Sequence, residues 1–324
     1  MLGDYDLVRF CVAVILSTAL ALHGYRKRSL DISGACAAVC VGFVSFAVSY
    51  RMGTILIVFY YTSSKITKVR EDVKEQFERD YKVAGQRNAT QVLANSAMAT
   101  VVAALYFIVI GEDRHTVEFS LGHGIRILMD QAGATDAVGR VFRKQLASYL
   151  WAMYVAHYAC ANGDTWASEL GILSKSRPRL ITSFLLRTEV PKGTNGGISL
   201  EGTLASALGG ALVGLVFWIM SFFMSLERPM GNSAPQYPMI FVGLIAGVLG
   251  SVVDSLLGAS LQATYYDFDR KQIVKRGNFD VGDANVKIIQ GIDILSNEAV
   301  NFYSIMITMV LACYLSPFIY ALAY

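Results

Sequence analysis

Five polar or charged elements stand out in a chain that has few of them. Gly163-Asp164-Thr165-Trp166-Ala167-Ser168-Glu169 sets two carboxylates and two hydroxyls within two helical turns. Helical spacing places Asp164 near Ser168 and Thr165 near Glu169. Oxygen ligands of this kind suit Mg²⁺, which is commonly shared with a phosphate. Pro191-Lys192-Gly193-Thr194-Asn195-Gly196-Gly197 is a glycine-rich run with one cation, followed by Glu201 and a long apolar stretch. Glycines let backbone N–H groups approach an anion, and the N-terminus of the following helix favours negative charge. The order GK[ST] is missing, so this is not a Walker A loop. Asp254 lies inside an apolar run, where an ionisable group costs at least about 2.5–3.5 kcal/mol and usually faces a functional cavity. Asn297, Glu298 and Asn301 open another such run, and Gln91, Asn95 and Ser96 a third. The ordinary reading of each element is a capped helix end, a flexible turn or a polar contact between helices. What favours chemistry is that all of them fall on one side of the membrane in the topology derived below.

Other chemistries are poorly supported. His23, His115, His123 and His157 form no HxxxH pair or His/Cys cluster, which argues against zinc. There is no GxSxG elbow and no GxGxxG after a strand. Cys11, Cys36, Cys40, Cys160 and Cys313 make no CxxC pair, and their odd number argues against a disulfide framework. They read as small buried hydrophobes, Cys36 and Cys40 included although they share a helix face.

The elements that must position these residues are membrane helices. Of 324 residues, 54% are hydrophobic and only 16% charged, with a net charge of +3. The mean hydropathy is +0.45. These values exclude an ordinary soluble enzyme, a disordered chain and a broad nucleic-acid-binding surface. Apolar stretches at 7–23, 32–50, 53–64, 92–110, 146–162, 201–225, 239–261 and 299–322 predict an all-α, polytopic bundle of about eight transmembrane segments. The weakest, 53–64, is short and runs into Ser63-Ser64-Lys65; it reads as a span with a polar end or a re-entrant segment. The first reads as a retained span and not a signal peptide, because Asp4 and Asp6 precede it and Arg26-Lys27-Arg28 follow it.

Alternating these spans with the N-terminus outside leaves 24–31, 65–91, 163–200 and 262–298 in the cytosol, with 20 of the 28 Lys and Arg residues. The positive-inside rule therefore predicts both termini on the non-cytosolic side. The sequon at Asn88 falls in the cytosol and is expected to be unmodified. The expected organisation is one membrane domain over 1–324. It carries a charged, amphipathic cytosolic helix at about 65–91 and motif-bearing cytosolic loops at 163–200 and 262–298.

The motif strings resemble the transmembrane protein 19 family (domain of unknown function 92). Those strings are Gly163–Glu169, Ser174–Thr182, Val190–Gly197, Ser233–Gln236, Gly250–Ala259 and Asn297–Asn301. The resemblance covers nearly the whole chain, least clearly 1–50 and 111–145. That family is similar to plant and cyanobacterial phytyl-phosphate kinases, whose Asp-Thr-x-x-Ser-Glu core matches Asp164, Thr165, Ser168 and Glu169. Their Pro-x-Gly-Thr-x-Gly loop matches Pro191, Gly193, Thr194 and Gly196. Trp166 stands where those relatives tend to have a smaller residue.

The resemblance implies phosphoryl transfer from a nucleoside triphosphate, CTP or ATP, to an isoprenoid monophosphate held in the lipid bilayer. The expected roles are Mg²⁺ on Asp164, Glu169 and Asp254, and Lys192 with the Gly193–Gly197 backbone and Glu201 around the nucleotide. Lys65, Arg87, Asn95 and Asn297 are expected at the lipid phosphate. The competing expectation is a transporter or lipid-binding scaffold without catalysis. A multi-span chain without lipidation or retrieval signals is expected in the endoplasmic reticulum or another endomembrane.

Overall fold

The computed structural model describes residues 4–77, 86–111, 116–119, 135–227, 234–274 and 285–323. Within it run α1 (Asp4–Arg26), α2 (Ile32–Val48), α3 (Tyr50–Thr67), α4 (Glu71–Lys74), α5 (Ala89–Ala94) and α6 (Ala97–Val109). They are followed by α7 (Thr135–Gly171), α8 (Leu200–Glu227), α9 (Pro238–Leu261) and α10 (Asn297–Ala321). Each of the eight apolar stretches is helical. Four helices are long and apolar enough to cross a membrane: α1 over Leu7–Arg26, α8 over Leu200–Ser225, α9 and α10. The apolar helices α2 and α6 are shorter, at 17 and 13 residues.

The weak 53–64 stretch belongs to an 18-residue helix because polar residues extend it at both ends. Ser49 caps its start by accepting from Arg51 N and Met52 N, and its last turn runs on through Lys65 to Thr67. The 92–110 stretch is instead divided at Asn95-Ser96, between α5 and α6. The Asn95 carbonyl lies 2.9 Å from His157 Nε2 on α7, which gives the broken backbone a partner inside the bundle.

The centre of the bundle is α7. Trp151, Tyr154, Val155, Tyr158, Ala159 and Cys160 are all fully buried, packed by α3, α6, α8, α9 and α10. That position explains its moderate hydropathy: a hub helix need not be apolar toward lipid. Arg51 is fully buried against it, its guanidinium 4.3 Å from the Trp151 ring and 5.3 Å from Phe217, with one N–H donated to Ser221. Apolar side chains such as Phe10, Ile15, Phe222 and Phe318 point outward from α1, α8 and α10. The cysteines depart from the buried reading. Cys160 alone is buried, whereas Cys11, Cys36 and Cys40 face outward from α1 and α2. An outward position on an apolar helix asks only for an apolar side chain when the solvent is acyl chain.

Helices α8 and α9 meet backbone to backbone. A methyl group at Gly210 would strike the Gly243 carbonyl and lie 2.8 Å from Gly247 Cα. One at Gly163 of α7 would lie 2.9 Å from the Ser206 carbonyl and 2.8 Å from Gly247 Cα. Small residues permit this approach, which drives helix association in lipid by close packing.

Two features depart from the all-α expectation. β1 (Arg179–Leu180) pairs antiparallel with β2 (Gly197–Ile198), and β3 (Thr264–Asp267) lies between β4 (Gln272–Val274) and β5 (Val286–Gln290). Tyr265, Tyr266, Ile273, Val274, Ile288 and their neighbours supply the β-branched and aromatic residues that such a sheet favours. Nor is the charged segment one helix over its described part. After α3 the chain makes only the four-residue α4, then turns at 75–77, and the rest of it up to 85 lies outside the described residues. Phe77 instead gives its carbonyl to Ile273 N (2.9 Å), tying this segment to β4.

Candidate functional site

One end of the bundle holds a polar cavity of about 670 Å³. Its walls are the C-terminal turns of α3, α7 and α9, the N-terminal turns of α5, α8 and α10, and the 192–199 loop. Alternating helix directions bring these ends together, so six segments far apart in sequence face one space.

The loop is built from two consecutive turns. Thr194 N donates to the Pro191 carbonyl (3.2 Å) and Gly197 N to the Thr194 carbonyl (3.0 Å). Gly193 and Gly196 take positive φ values of +86° and +77°, open to glycine at little cost. Asn195 N donates to Thr264 Oγ1 (3.1 Å), which anchors the loop to β3. At Gly196 a side chain would meet Ala259 Cβ and come within 2.8 Å of the Ser255 carbonyl. The loop therefore lies directly on α9, one turn beyond Asp254.

Backbone bonding refines which amides can meet an anion. Those of Thr194, Asn195 and Gly197 are already committed. Among the described residues, the amides of Gly193 and Gly196 have no hydrogen-bond partner. At the first turn of α8, Ser199 Oγ already accepts from Gly202 N (3.1 Å), so the positive end of the helix adds its dipole and not a full set of open amides. Lys192 lines the same space, its Nζ donating to the Ser174 carbonyl (2.6 Å) and lying 4.9 Å from the Phe77 ring.

Asp164 and Asp254 face the cavity from α7 and α9, close enough that each carboxylate feels the other's charge. Ser304 Oγ donates to Asp254 (3.2 Å). Asp164 has neither a hydrogen bond nor an ion pair among the described residues. Two adjacent carboxylates without a cationic partner fit a divalent cation. Glu169 also lines the cavity, but Lys74 holds it at 2.6 Å. The Lys74 ammonium is almost wholly buried and also donates to the Ile66 and Thr67 carbonyls at the end of α3. Burial pushes the Glu169 carboxyl above its ordinary value, and Lys74 opposes the shift without cancelling it. Among the described residues no three His, Cys, Asp or Glu side chains converge as a metal cluster. The donor set is thus a carboxylate pair, the kind Mg²⁺ completes with water and substrate phosphates.

Arg87, Asn95 and Asn297 also line the cavity. The Arg87 backbone forms an isolated parallel bridge with Leu30, giving its N–H to Ser29 and its carbonyl to Asp31 N. Burial makes the guanidinium charge costlier, partly offset by the nearby Glu169 carboxylate. Its side chain has no hydrogen bond or ion pair among the described residues. Two expected residues stand elsewhere. Glu201 is exposed beside the cavity, because Ser199, Gly202 and Thr203 are the α8 residues turned inward. Lys65 is exposed on α3, whose inward positions near it are Ser63 and Thr67. Ser251, Ser255 and Gln262 join the cavity without having been singled out as site residues. The i, i+4 spacing of Ser251 and Ser255 around Asp254 is the signal that could have found two of them. His115 and His123 lie outside the described residues.

The comparisons with known proteins agree with this architecture. Protein PGR of Arabidopsis thaliana is 37% identical over 312 residues, covering 96% of this chain and 98% of its own. An uncharacterized membrane protein of Methanocaldococcus jannaschii is 27% identical, covering 83% and 87%. The chloroplastic protein VTE6 of Arabidopsis thaliana is 27% identical, covering 72% of this chain and 56% of its own. No solved structure matches. The profile of the integral membrane protein DUF92 family matches residues 15–309. That match spans all but the ends of the chain, and with it the protein belongs to the integral membrane protein DUF92 family, the same family as transmembrane protein 19.

Proposed function

We propose that this protein is an isoprenoid-monophosphate kinase using CTP or ATP with Mg²⁺. In this reading it acts at the cytosolic face of an endomembrane, such as the endoplasmic reticulum, with both termini on the opposite side. The observation that carries it is the convergence, in one 670 Å³ cavity, of a glycine loop, the Asp164 and Asp254 carboxylates, which have no cationic partner among the described residues, and Arg87. Phosphoryl transfer asks a protein for charge neutralisation and alignment more than for covalent chemistry. Gly193, Gly196, Lys192 and the start of α8 orient the nucleotide phosphates. Asp164 and Asp254 would hold Mg²⁺, which neutralises charge on the phosphates. Arg87, with Asn95 and Asn297, receives the acceptor phosphate.

An oxygen of the acceptor monophosphate attacks the γ-phosphorus. The bond from that phosphorus to the β–γ bridging oxygen breaks, giving an isoprenoid diphosphate and a nucleoside diphosphate. A phosphate oxygen is already ionised at neutral pH, so no general base is needed. Purified protein in detergent, given an isoprenyl monophosphate, labelled CTP or ATP and Mg²⁺, is expected to form labelled diphosphate. Failure to do so alongside an active phytyl-phosphate kinase refutes the assignment. The double variant Asp164→Asn, Glu169→Gln is expected to lose nearly all turnover, whereas a transporter would keep solute binding.

A further inference from the structure

The polar cavity does not end at Arg87. A second, apolar cavity of about 70 Å³ lies between α1, α2, α3 and α5, walled by Leu20, Val41, Phe46, Leu56 and Ile57. The two share Phe59, Arg87, Gln91 and Asn95. Arg87 thus stands at a junction, a cation shared by a polar space and a crevice with hydrocarbon walls. Its backbone bridge to Leu30 fixes it to the α1–α2 turn, so both spaces keep one hinge point. The crevice is small. A cavity of about 150 Å³ admits benzene, so this one takes a few carbons of a single chain. The remainder must pass out between helices whose outer faces, such as Leu16 and Leu22 of α1, are apolar and exposed.

The geometry points to this crevice as the chain subsite of a single-chain lipid monophosphate, with Arg87 holding the phosphate at the junction. The assignment rests on the kinase reading for the identity of the phosphate's partner nucleotide, but the crevice itself is testable by binding alone. Charge complementarity selects the occupant. An uncharged chain would bring no anion to Arg87, and inorganic phosphate would leave the apolar walls empty. The crevice itself has room for one chain only.

The test uses the full chain in lipid nanodiscs and a farnesyl monophosphate carrying a photoreactive diazirine on its first isoprene unit. Labelling is expected on α1, α2 and α3, at residues such as Leu20, Val41 or Leu56. Unlabelled farnesyl monophosphate should compete at least about tenfold better than farnesol or inorganic phosphate, since a hydrogen-bonded charge and an apolar chain act together. Ala38→Phe, which fills the crevice from α2, should cut labelling by about the same factor, and Ala38→Ser should retain it. Labelling on α8–α10 instead, or equal competition by farnesol, overturns the assignment. If Ala38→Phe does not fold, the labelled positions and the competition series in the unaltered chain still decide. Labelling in the crevice without diphosphate formation keeps the subsite and removes the kinase. Diphosphate formation with labels elsewhere does the reverse.

Discussion

Gly196→Ala tests the idea that the loop's conformation, and not merely its glycine content, builds the anion site. Two costs add at this position. The backbone sits at φ +77°, where an L side chain pays roughly 1–2 kcal/mol. The new methyl also meets Ala259 Cβ and the backbone of Ser255 on α9, neither of which is a flexible side chain. Overpacking of this kind costs about 1–3 kcal/mol. Together the native seating of the loop loses about 2–5 kcal/mol. If the loop lifts off α9 to escape, nucleotide affinity should fall by at least about thirtyfold at the lower end of that range. If it stays, the melting temperature should fall by at least about 4 °C, at about 2 °C per kcal/mol. Gly258→Ala is the matched control, on the same face of α9 beneath the same loop. Its methyl would find Asn195 Cβ and Gln262 Oε1 at 3.6 Å, ordinary contact distance, and the helix gains up to about 1 kcal/mol from alanine. The assay is thermal unfolding of purified protein in detergent, followed by intrinsic fluorescence, with and without CTP or ATP and Mg²⁺. If Gly196→Ala melts within a degree of the unaltered chain and keeps its nucleotide-dependent shift, the account of the loop is wrong.

Further outcomes follow from other parts of the structure. Lys74→Met should destabilise by about 2–4 kcal/mol, because it strands a partly buried Glu169 and uncaps α3; adding Glu169→Gln should recover part of this in a thermal double-mutant cycle. Asp254→Asn should lower Mg²⁺-dependent turnover by about 10²-fold or more while leaving the melting temperature unchanged or raised, since it relieves repulsion with Asp164. Gly210→Val should prevent accumulation of folded protein, read as monodispersity in detergent, because nothing but backbone lies opposite it. Asp31 accepts from Gly34 N and from Ser33, which holds its carboxyl below the ordinary 3.8. The stability it adds is present above that pH and lost as the pH falls through the depressed value. Asp31→Ala should therefore melt lower than the unaltered chain at pH 7 and converge with it in strong acid.

The helices were legible because lipid imposes a simple demand: an apolar run of sufficient length must be a helix. Even the doubtful 53–64 stretch follows this, its ends being supplied by Ser49 and Thr67. What escaped was polar structure outside the apolar runs. The three-stranded sheet has short strands whose alternation is no stronger than that of many loops, and the charged segment has helical composition, yet its described residues 75–77 leave the helix and bond to β4. The division at Asn95-Ser96 was marked by its polar pair, yet its cause is His157, more than sixty positions away. Within the site, residue types were readable and directions were not. Glu201 carries suitable chemistry, but one step of about 100° on α8 turns it away while Ser199, Gly202 and Thr203 turn inward. Likewise Glu169 was readable as a carboxylate, whereas its engagement by Lys74 depends on how α4 folds back.

The glycine contact between α8 and α9 has a mechanical consequence. At Gly210, Gly214, Gly243 and Gly247 no side chain lies between the helices, so at those positions there is nothing to repack and sliding by rotamer changes is blocked. The seam extends to Gly163, beside Asp164, and α9 carries both Asp254 and the bed of the Gly196 loop. Carboxylates and glycine loop therefore form a stator of fixed dimensions. The spacing between the carboxylates and the glycine loop is thereby set by backbone contact and not by side-chain rotamers.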